Sequence, residues 1–196
     1  EPVARRVVEV GKKVRGLEDR STLGDIDNLG RILTALGKLQ EAREVLTLEV
    51  EVCERAYGER DADTIAARAS LAAALRASQD YTAAVLVQGK AHEAAVSTFG
   101  ATHARTLTIY NNLGHLYELA GDLERAEQIY SDVATARRET LGANAMDTVS
   151  ALLNLGAIRH NLARFEAAES AWNEALAVTA VGDAAVDGAA PRSGRP

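Results

Sequence analysis

The stretch Thr106–Gly142, TLTIYNNLGHLYELAGDLERAEQIYSDVATARRETLG, decides the fold class of this chain. Its first half places apolar residues at three- and four-residue steps, which is the spacing of one face of an α-helix. The dipeptide Gly121-Asp122 predicts a turn, and the second half then repeats the helical spacing. The stretch therefore predicts two amphipathic helices packed against each other, near 106–120 and 123–141.

Four columns of residues recur along the chain at intervals of 42 residues. They are Thr22, Thr64, Thr106 and Thr148; Gly16, Gly58, Gly100 and Gly142; Ala42, Ala84, Ala126 and Ala168; and Leu29, Leu71, Leu113 and Leu155. Self-similarity at such a period is the signature of a repeat architecture. Because neither helix of a pair can bury its apolar face alone, successive pairs are expected to stack.

The spacing of Leu113-Gly114, Tyr117, Ala126 and Tyr130 resembles a tetratricopeptide repeat, although the usual period is about 34 residues. With FGATHAR before it, TLTIYNNLGHLYELAGDLERAEQIY is similar to the longer, kinesin-light-chain-like form of that repeat. The resemblance implies an all-α fold, a right-handed α-solenoid of stacked antiparallel helix pairs with about four repeats and an N-terminal half-repeat helix. It says less about function, since one fold serves many functions.

The repeat register divides the chain into six segments. Residues 1–15 align with a second helix and are expected to be the second helix of a truncated preceding repeat. The others are repeat 1 (16–57), repeat 2 (58–99), repeat 3 (100–141), repeat 4 (142–180) and a tail, 181–196, that is expected to be disordered.

Repeat 2 departs most from the pattern. Gln88 occupies a slot that holds a large apolar side chain in the other copies, and Gly89 lies in mid-helix, where glycine costs about 1 kcal/mol relative to alanine. The run RASLAAALRA gives this copy small side chains. We interpret repeat 2 as a degenerate copy and a candidate flexible joint.

Composition restricts the class of partner. The chain has 22 Lys and Arg against 28 Asp and Glu, which gives a net charge of −6. An acidic chain without a basic cluster argues against nucleic acid and against an anionic membrane surface as partners. No apolar run approaches the ~18 residues of a membrane span. The lone Cys53 cannot form an internal disulfide, which suits a reducing compartment and predicts a cytoplasmic protein.

The candidate site is a column of amides on the first helices, at Asn28, Asn112 and Asn154, with Ser70 in the remaining copy. An amide offers both donors and an acceptor, so a ladder of asparagines can bond an extended peptide backbone. The resemblance implies that these asparagines hold a ligand backbone in a concave groove; bonds to neighbouring helices or water are the alternative. Nearby concave positions expected to tune specificity are Asp27, Arg31, Arg76, Asn111, His115, Glu118, Leu119, His160 and Asn161.

These observations favour a non-catalytic module that binds a peptide or partner segment, as the sensor or adaptor region of a larger signalling protein. A peptide with a negative charge and an apolar anchor would suit the groove. The alternative is a structural spacer or a homodimer formed through uncapped terminal helices. His115, Glu118 and His160 could together suggest a metal, but no metal-binding, nucleophilic or phosphate-binding motif accompanies them, so we predict no metal, no cofactor and no enzyme.

Overall fold

A computed structural model describes the backbone of residues 1–187 and the side chains of residues 1–177. Every regular element in this part of the chain is an α-helix. The helices are α1 (Pro2–Val14), α2 (Arg20–Ala35), α3 (Leu39–Tyr57), α4 (Ala62–Ala77), α5 (Tyr81–Phe99), α6 (Ala104–Ala120), α7 (Leu123–Leu141), α8 (Met146–Asn161) and α9 (Phe165–Asp187).

Helix α7 begins at the residue predicted for the second helix of repeat 3, Leu123, but the first helix of every pair begins two residues before its threonine. The cap lies three residues before each threonine, where Asp19 accepts a hydrogen bond from the Thr22 amide at 3.1 Å. Asp61 and His103 cap α4 and α6 through their own side chains. All four threonines of the column are fully buried in the first turn.

Gly58 and Gly100 end α3 and α5 with positive φ but outside the left-handed helical region. Their φ values are 86° and 95°, and their ψ values are 166° and 156°. This combination is open essentially only to glycine. Gly16 and Gly142 share the positive φ, at 89° and 87°.

The chain forms two compact units, and the first runs from Glu1 to Asp122 with helices α1–α6. Each helix of this unit packs on the next, and α2 also packs on α4. Within repeat 1, α2 and α3 approach closely at Gly30, where an added Cβ would overlap the Leu46 side chain. The core of the unit is built from leucine, isoleucine, valine and alanine, including Ile26, Leu33, Leu46, Val52 and Leu75.

The second unit begins at Leu123 and contains α7–α9. Here α8 packs on both α7 and α9, and the approach of α8 to α9 repeats the small-residue contact, because an added Cβ at Gly156 would overlap Trp172. The α9 backbone remains helical to Asp187, so residues 181–187 extend the helix into the segment predicted as tail. Alanine favours helix, and the next proline comes only at Pro191. Residues 188–196 lie outside the described part.

One core position of the first unit carries an acid. Glu49 of α3 is buried, and its Oε2 has no hydrogen-bond partner within the described residues. Burial, and then the charges of Asp27 and Asp63, raise the pKa of Glu49 to about 8. The Oδ1 atom of Asp27 is likewise buried without a partner in the same part of the chain. Glu49 therefore carries a proton in the folded state at neutral pH.

The turn between the two helices of each pair contains one residue with positive φ, and these residues form a second column at the repeat interval. Gly37 and Gly121 have φ values of 73° and 86°, whereas Gln79 and Ala163 hold the equivalent turns at 61° and 58°. A side chain in this left-handed region costs roughly 1–2 kcal/mol.

Replacing Gln79 by glycine is therefore expected to stabilise the protein. The free energy of unfolding should rise by about 0.5–1 kcal/mol, once the extra conformational entropy of glycine in the unfolded chain is subtracted. This gain corresponds to an increase of about 1–4 °C in Tm. Thermal unfolding followed by circular dichroism measures it. The matched control is Gln79→Ala, which keeps the Cβ; equal melting temperatures for the two variants would contradict the strain argument.

Glu49 is expected to make stability depend on pH. Since its pKa rises from about 4.5 in the unfolded chain to about 8 in the folded one, the free energy of unfolding should fall as pH rises through that window. Glu49→Gln should flatten the curve and be the more stable protein at pH 8, by about 1–3 kcal/mol. Urea unfolding between pH 5.5 and 8.5 tests this, with Glu51→Gln on the exposed side of α3 as control. A wild-type slope in Glu49→Gln would disprove it.

Candidate functional site

A cavity of about 180 Å³ opens between α4 and α6 in the first unit. Its walls combine small or apolar residues with polar side chains from three helices. They are Ala69, Ala72, Ala73 and Arg76 of α4, Gln88 of α5, and Asn112, His115 and Leu116 of α6. The cavity thus brings together three positions that the sequence places on the concave surface, Arg76, Asn112 and His115.

The cavity exists because α4 carries alanine where it faces α6. Ala62, Ala66, Ala69 and Ala73 follow one another at steps of four, three and four residues, which puts them on one face of the helix. All four line one or other of the cavities on this side of α4. Their side chains end at Cβ and leave open the space that larger residues would fill.

A second, more apolar cavity of about 540 Å³ adjoins the first, since Ala69 lines both. Its apolar wall is formed by Ile65 of α4, Phe99 at the end of α5 and Ile109 of α6. The guanidinium of Arg105 lies 5.8 Å from the centre of the Phe99 ring, at the margin of this cavity. Side by side, the two cavities form a groove between α4 and α6, polar at one end and apolar at the other.

The polar end of the groove holds groups with unused bonding capacity. Within the described residues, the Arg76 guanidinium forms no ion pair and the Asn112 amide forms no side-chain hydrogen bond. Gln88 is only 2% exposed, and its Nε2 donates to the Ile109 carbonyl at 2.9 Å. Its amide oxygen has no hydrogen-bond partner in residues 1–187. A cation and two amides are therefore available to a carboxylate or a peptide group.

The remaining predicted site residues lie elsewhere or make contacts of their own. His115 Nδ1 lies 3.5 Å from Glu118 Oε2, one turn along α6, and Asn111 is half-buried on the same helix. Asn28 and Arg31 are exposed on α2 and do not line the groove; Arg31 lies 3.9 Å from Asp27. In the second unit, α8 carries Asn154, which is half-buried, and Asn161, which is exposed.

Repeat 2 contributes more to this groove than its departures from the repeat pattern suggest. Helix α5 passes through Gly89 without a break, and Gln88 is a buried, bonded member of the groove. The four-alanine row of α4 was the available signal, because alanine on a groove-facing stripe leaves space for a ligand as readily as it indicates loose packing. The local sequence around Gln88 does not indicate its hydrogen-bond partner, because the Ile109 carbonyl lies 21 residues further along the chain.

The described residues offer no metal site, since no three His, Cys, Asp or Glu side chains among them are grouped to hold an ion. His160 packs in the second unit, with its ring centre 5.4 Å from that of Phe165 and 5.9 Å from that of Trp172. His92 stacks on Tyr110 at 4.2 Å, and burial lowers the pKa of His92. None of the helices within residues 1–187 combines the length and hydropathy needed to cross a membrane.

Comparisons with known proteins agree with this architecture. The family model of the tetratricopeptide repeat matches residues 21–95, 71–139 and 105–180. No curated protein sequence matches the chain significantly.

Among solved structures, the chain is similar to the kinesin-light-chain TPR-like repeats of Podosopora anserina, with 20% identity over 92% of this chain and 86% of that one and a TM-score of 0.83. It is similar to BtubC (BKLC) from P. vanneervenii at 22% identity, covering 100% of this chain and 76% of that one, with a TM-score of 0.80. MamA is more distant, at 17% identity over 92% and 88% of the two chains and a TM-score of 0.64. The chain therefore belongs to the tetratricopeptide repeat family, and its fold is an α-solenoid of kinesin-light-chain-like repeats.

Proposed function

We propose that this chain is a non-catalytic protein-interaction module that binds a peptide segment in the groove between α4 and α6. Tetratricopeptide repeats generally serve protein–protein interaction, and the groove supplies a specific place for it. The observation that carries the proposal is the adjacency of an apolar cavity to a smaller one with an unpaired guanidinium, joined at Ala69.

The ligand that fits this groove carries a large apolar side chain and an acidic residue. The apolar side chain would fill the cavity lined by Ile65, Phe99 and Ile109, where it loses contact with water. The carboxylate would pair with Arg76, and charge-assisted hydrogen bonds of this kind are about twice as strong as neutral ones. Asn112 would form hydrogen bonds with the peptide backbone between the apolar side chain and the carboxylate. This is the role that the amide column predicts for Asn112.

The amide column predicts the same backbone-holding role for Asn28 and Asn154, although Asn28 lies outside the groove between α4 and α6. It predicts a part in specificity for Arg31, Asn111, His115, Glu118 and Asn161. In this proposal the chain is the sensor or adaptor region of a larger regulatory protein in the cytoplasm. Cys53 is buried, and burial raises the pKa of its thiol to about 12, which leaves the thiol unreactive.

Selection from a displayed library of random 12-residue peptides tests the proposal. Selected peptides should combine an aromatic or large aliphatic residue with Asp or Glu, and fluorescence anisotropy then gives their Kd. Arg76→Ala should weaken binding about 5–10-fold through loss of the ion pair. Ala69→Leu should abolish binding because the new side chain fills the junction of the cavities, while alanine and leucine have similar helix propensities.

The matched control is Arg43→Ala, which removes an exposed arginine from α3 outside the groove. Circular dichroism confirms that each variant is folded. Peptides that bind Ala69→Leu and wild type equally would place the binding surface elsewhere and refute the groove.

A further inference from the structure

Two carboxylate oxygens are buried without a hydrogen-bond partner in the described part of the chain, and both lie in the first unit. They are the Oδ1 atom of Asp27 on α2 and the Oε2 atom of Glu49 on α3. Glu49 is only 4% exposed, and the Asp27 side chain is 24% exposed. Because an unpaired acceptor is costly to bury, two of them in one unit indicate a donor that the described chain does not itself supply.

The repeat register places both carboxyl groups in the space between α2 and α4. Asp27 lies one repeat before Ala69, which lines both cavities of the groove between α4 and α6. Glu49 lies one repeat before Ala91, which is buried in one cluster with Ile65 at the base of that groove. Helix α2 packs on α4 within the same unit. The space between α2 and α4 is therefore equivalent to the groove, but two acids stand where the groove has alanine.

The space between α2 and α4 already holds one guanidinium. Arg20 of α2 pairs with Asp61 at 3.0 Å and with Asp63, and it lies 4.0 Å from the centre of the Tyr57 ring. Carboxylates and an aromatic face are the groups that suit a planar guanidinium. The chain thus shows which kind of cation this space accepts, and Arg20 compensates two of the acids there.

No cation among the described residues serves Asp27 and Glu49 in this way. Arg31 lies 3.9 Å from the Oδ2 atom of Asp27, beyond hydrogen-bond distance, and its side chain is 69% exposed. Glu49 forms no ion pair in this part of the chain and stays neutral at neutral pH because it holds a proton. The two carboxyl groups can therefore accept a cation from another molecule.

We propose that Asp27 and Glu49 form an acidic subsite between α2 and α4 that binds an arginine side chain of the peptide segment held on the concave surface. This inference rests on the proposed function and adds a third anchor to the ligand. Arginine fits better than lysine, because its guanidinium carries five N–H donors in a planar fork and can meet oxygens from two helices at once. Its methylene stem can pass along an apolar wall while the charged end reaches the carboxyl groups.

The approach to the acidic subsite is open on both helices. Gly24 lies three residues before Asp27 and therefore on the same face of α2. An added Cβ at Gly24 would meet no atom within 4 Å, which shows open space beside the helix. Ala66, at the equivalent position of α4, is also exposed and ends at Cβ. These two small residues leave room for the stem of an arginine.

Helix spacing predicts where the arginine stands in the ligand. Packed helices lie about 8–10 Å apart, and an extended peptide advances about 3.3 Å per residue. Asp27 and Ala69 occupy equivalent positions on α2 and α4, which pack on each other. The arginine is therefore expected about three residues from the large apolar side chain that fills the cavity between α4 and α6.

Binding of a cation should release the proton of Glu49. The groups that face Glu49 are Asp27 from α2, Asp63 from α4 and the neutral Cys53 thiol of its own helix. The two aspartates disfavour a third negative charge, so Glu49 keeps its proton in the free protein. A guanidinium beside Glu49 favours the carboxylate and lowers the pKa again.

The test follows the Glu49 carboxyl group by carbon NMR of protein labelled at the glutamate side-chain carboxyl, with Glu49→Gln to assign its signal. The probe is ethylguanidinium chloride, which reproduces the charged end of arginine without a peptide. In the free protein the Glu49 signal should titrate near pH 8, and ethylguanidinium should lower that midpoint by about one unit. Tetramethylammonium chloride at the same concentration has the same charge but no N–H donor, and it should leave the midpoint unchanged.

Asp27→Asn should remove most of the response to ethylguanidinium, whereas Glu51→Gln on the exposed side of α3 should keep it. Ala69→Leu should also keep the response, which separates the acidic subsite from the groove between α4 and α6. Equal Glu49 midpoints with the two salts, or equal responses of Asp27→Asn and wild type, would overturn the proposal. A response to magnesium chloride but not to ethylguanidinium would also overturn it, by making a metal ion the occupant.

Discussion

The close approach of helices at a small-residue column is the contact on which the rest of this structure depends. Gly30 leaves room for Leu46 between α2 and α3, and Gly156 leaves room for Trp172 between α8 and α9. A side chain at either glycine would push the pair apart and strain a densely packed core. Each helix has too little apolar surface to fold alone, so the helices must pair and the pairs must stack. The stacking of helix pairs creates the groove between α4 and α6.

Repeat 2 solves the same packing problem differently, and that difference creates the groove. Ala72 stands where the other copies have glycine, and Gln88 where they have a large apolar side chain. The buried amide of Gln88 is anchored by the Ile109 carbonyl, so α5 stays joined to α6 through a polar contact. The alanine row of α4 leaves the neighbouring volume open. The copy that departs most from the repeat pattern is thus the copy whose first helix lines both cavities.

Buried ionisable residues mark where this chain departs from a uniform repeat. Glu49 occupies a position that holds alanine or valine in the other copies, and Arg68 one that holds isoleucine, tyrosine or leucine. Arg68 is paired with Glu54 at 2.8 Å, and its charge is therefore compensated. Glu49 has no such partner among the described residues, and its pKa of about 8 keeps it protonated at neutral pH. The charge of Arg68 is thus compensated by an ion pair, whereas Glu49 avoids a buried charge by staying protonated.

The helix pairs, their turns and the repeat register follow from the amino-acid sequence alone. These features depend on residues three to four positions apart and on glycine's access to positive φ, so they are encoded locally. It also placed Arg76, Asn112 and His115 on one surface. Packing between distant helices brings these three together with Gln88 and the alanine row in one groove and leaves Asn28 outside it. The same packing buries the Oε2 atom of Glu49 without a hydrogen-bond partner among the described residues. Cavities and desolvation depend on how helices distant in sequence pack, and no local spacing specifies that packing.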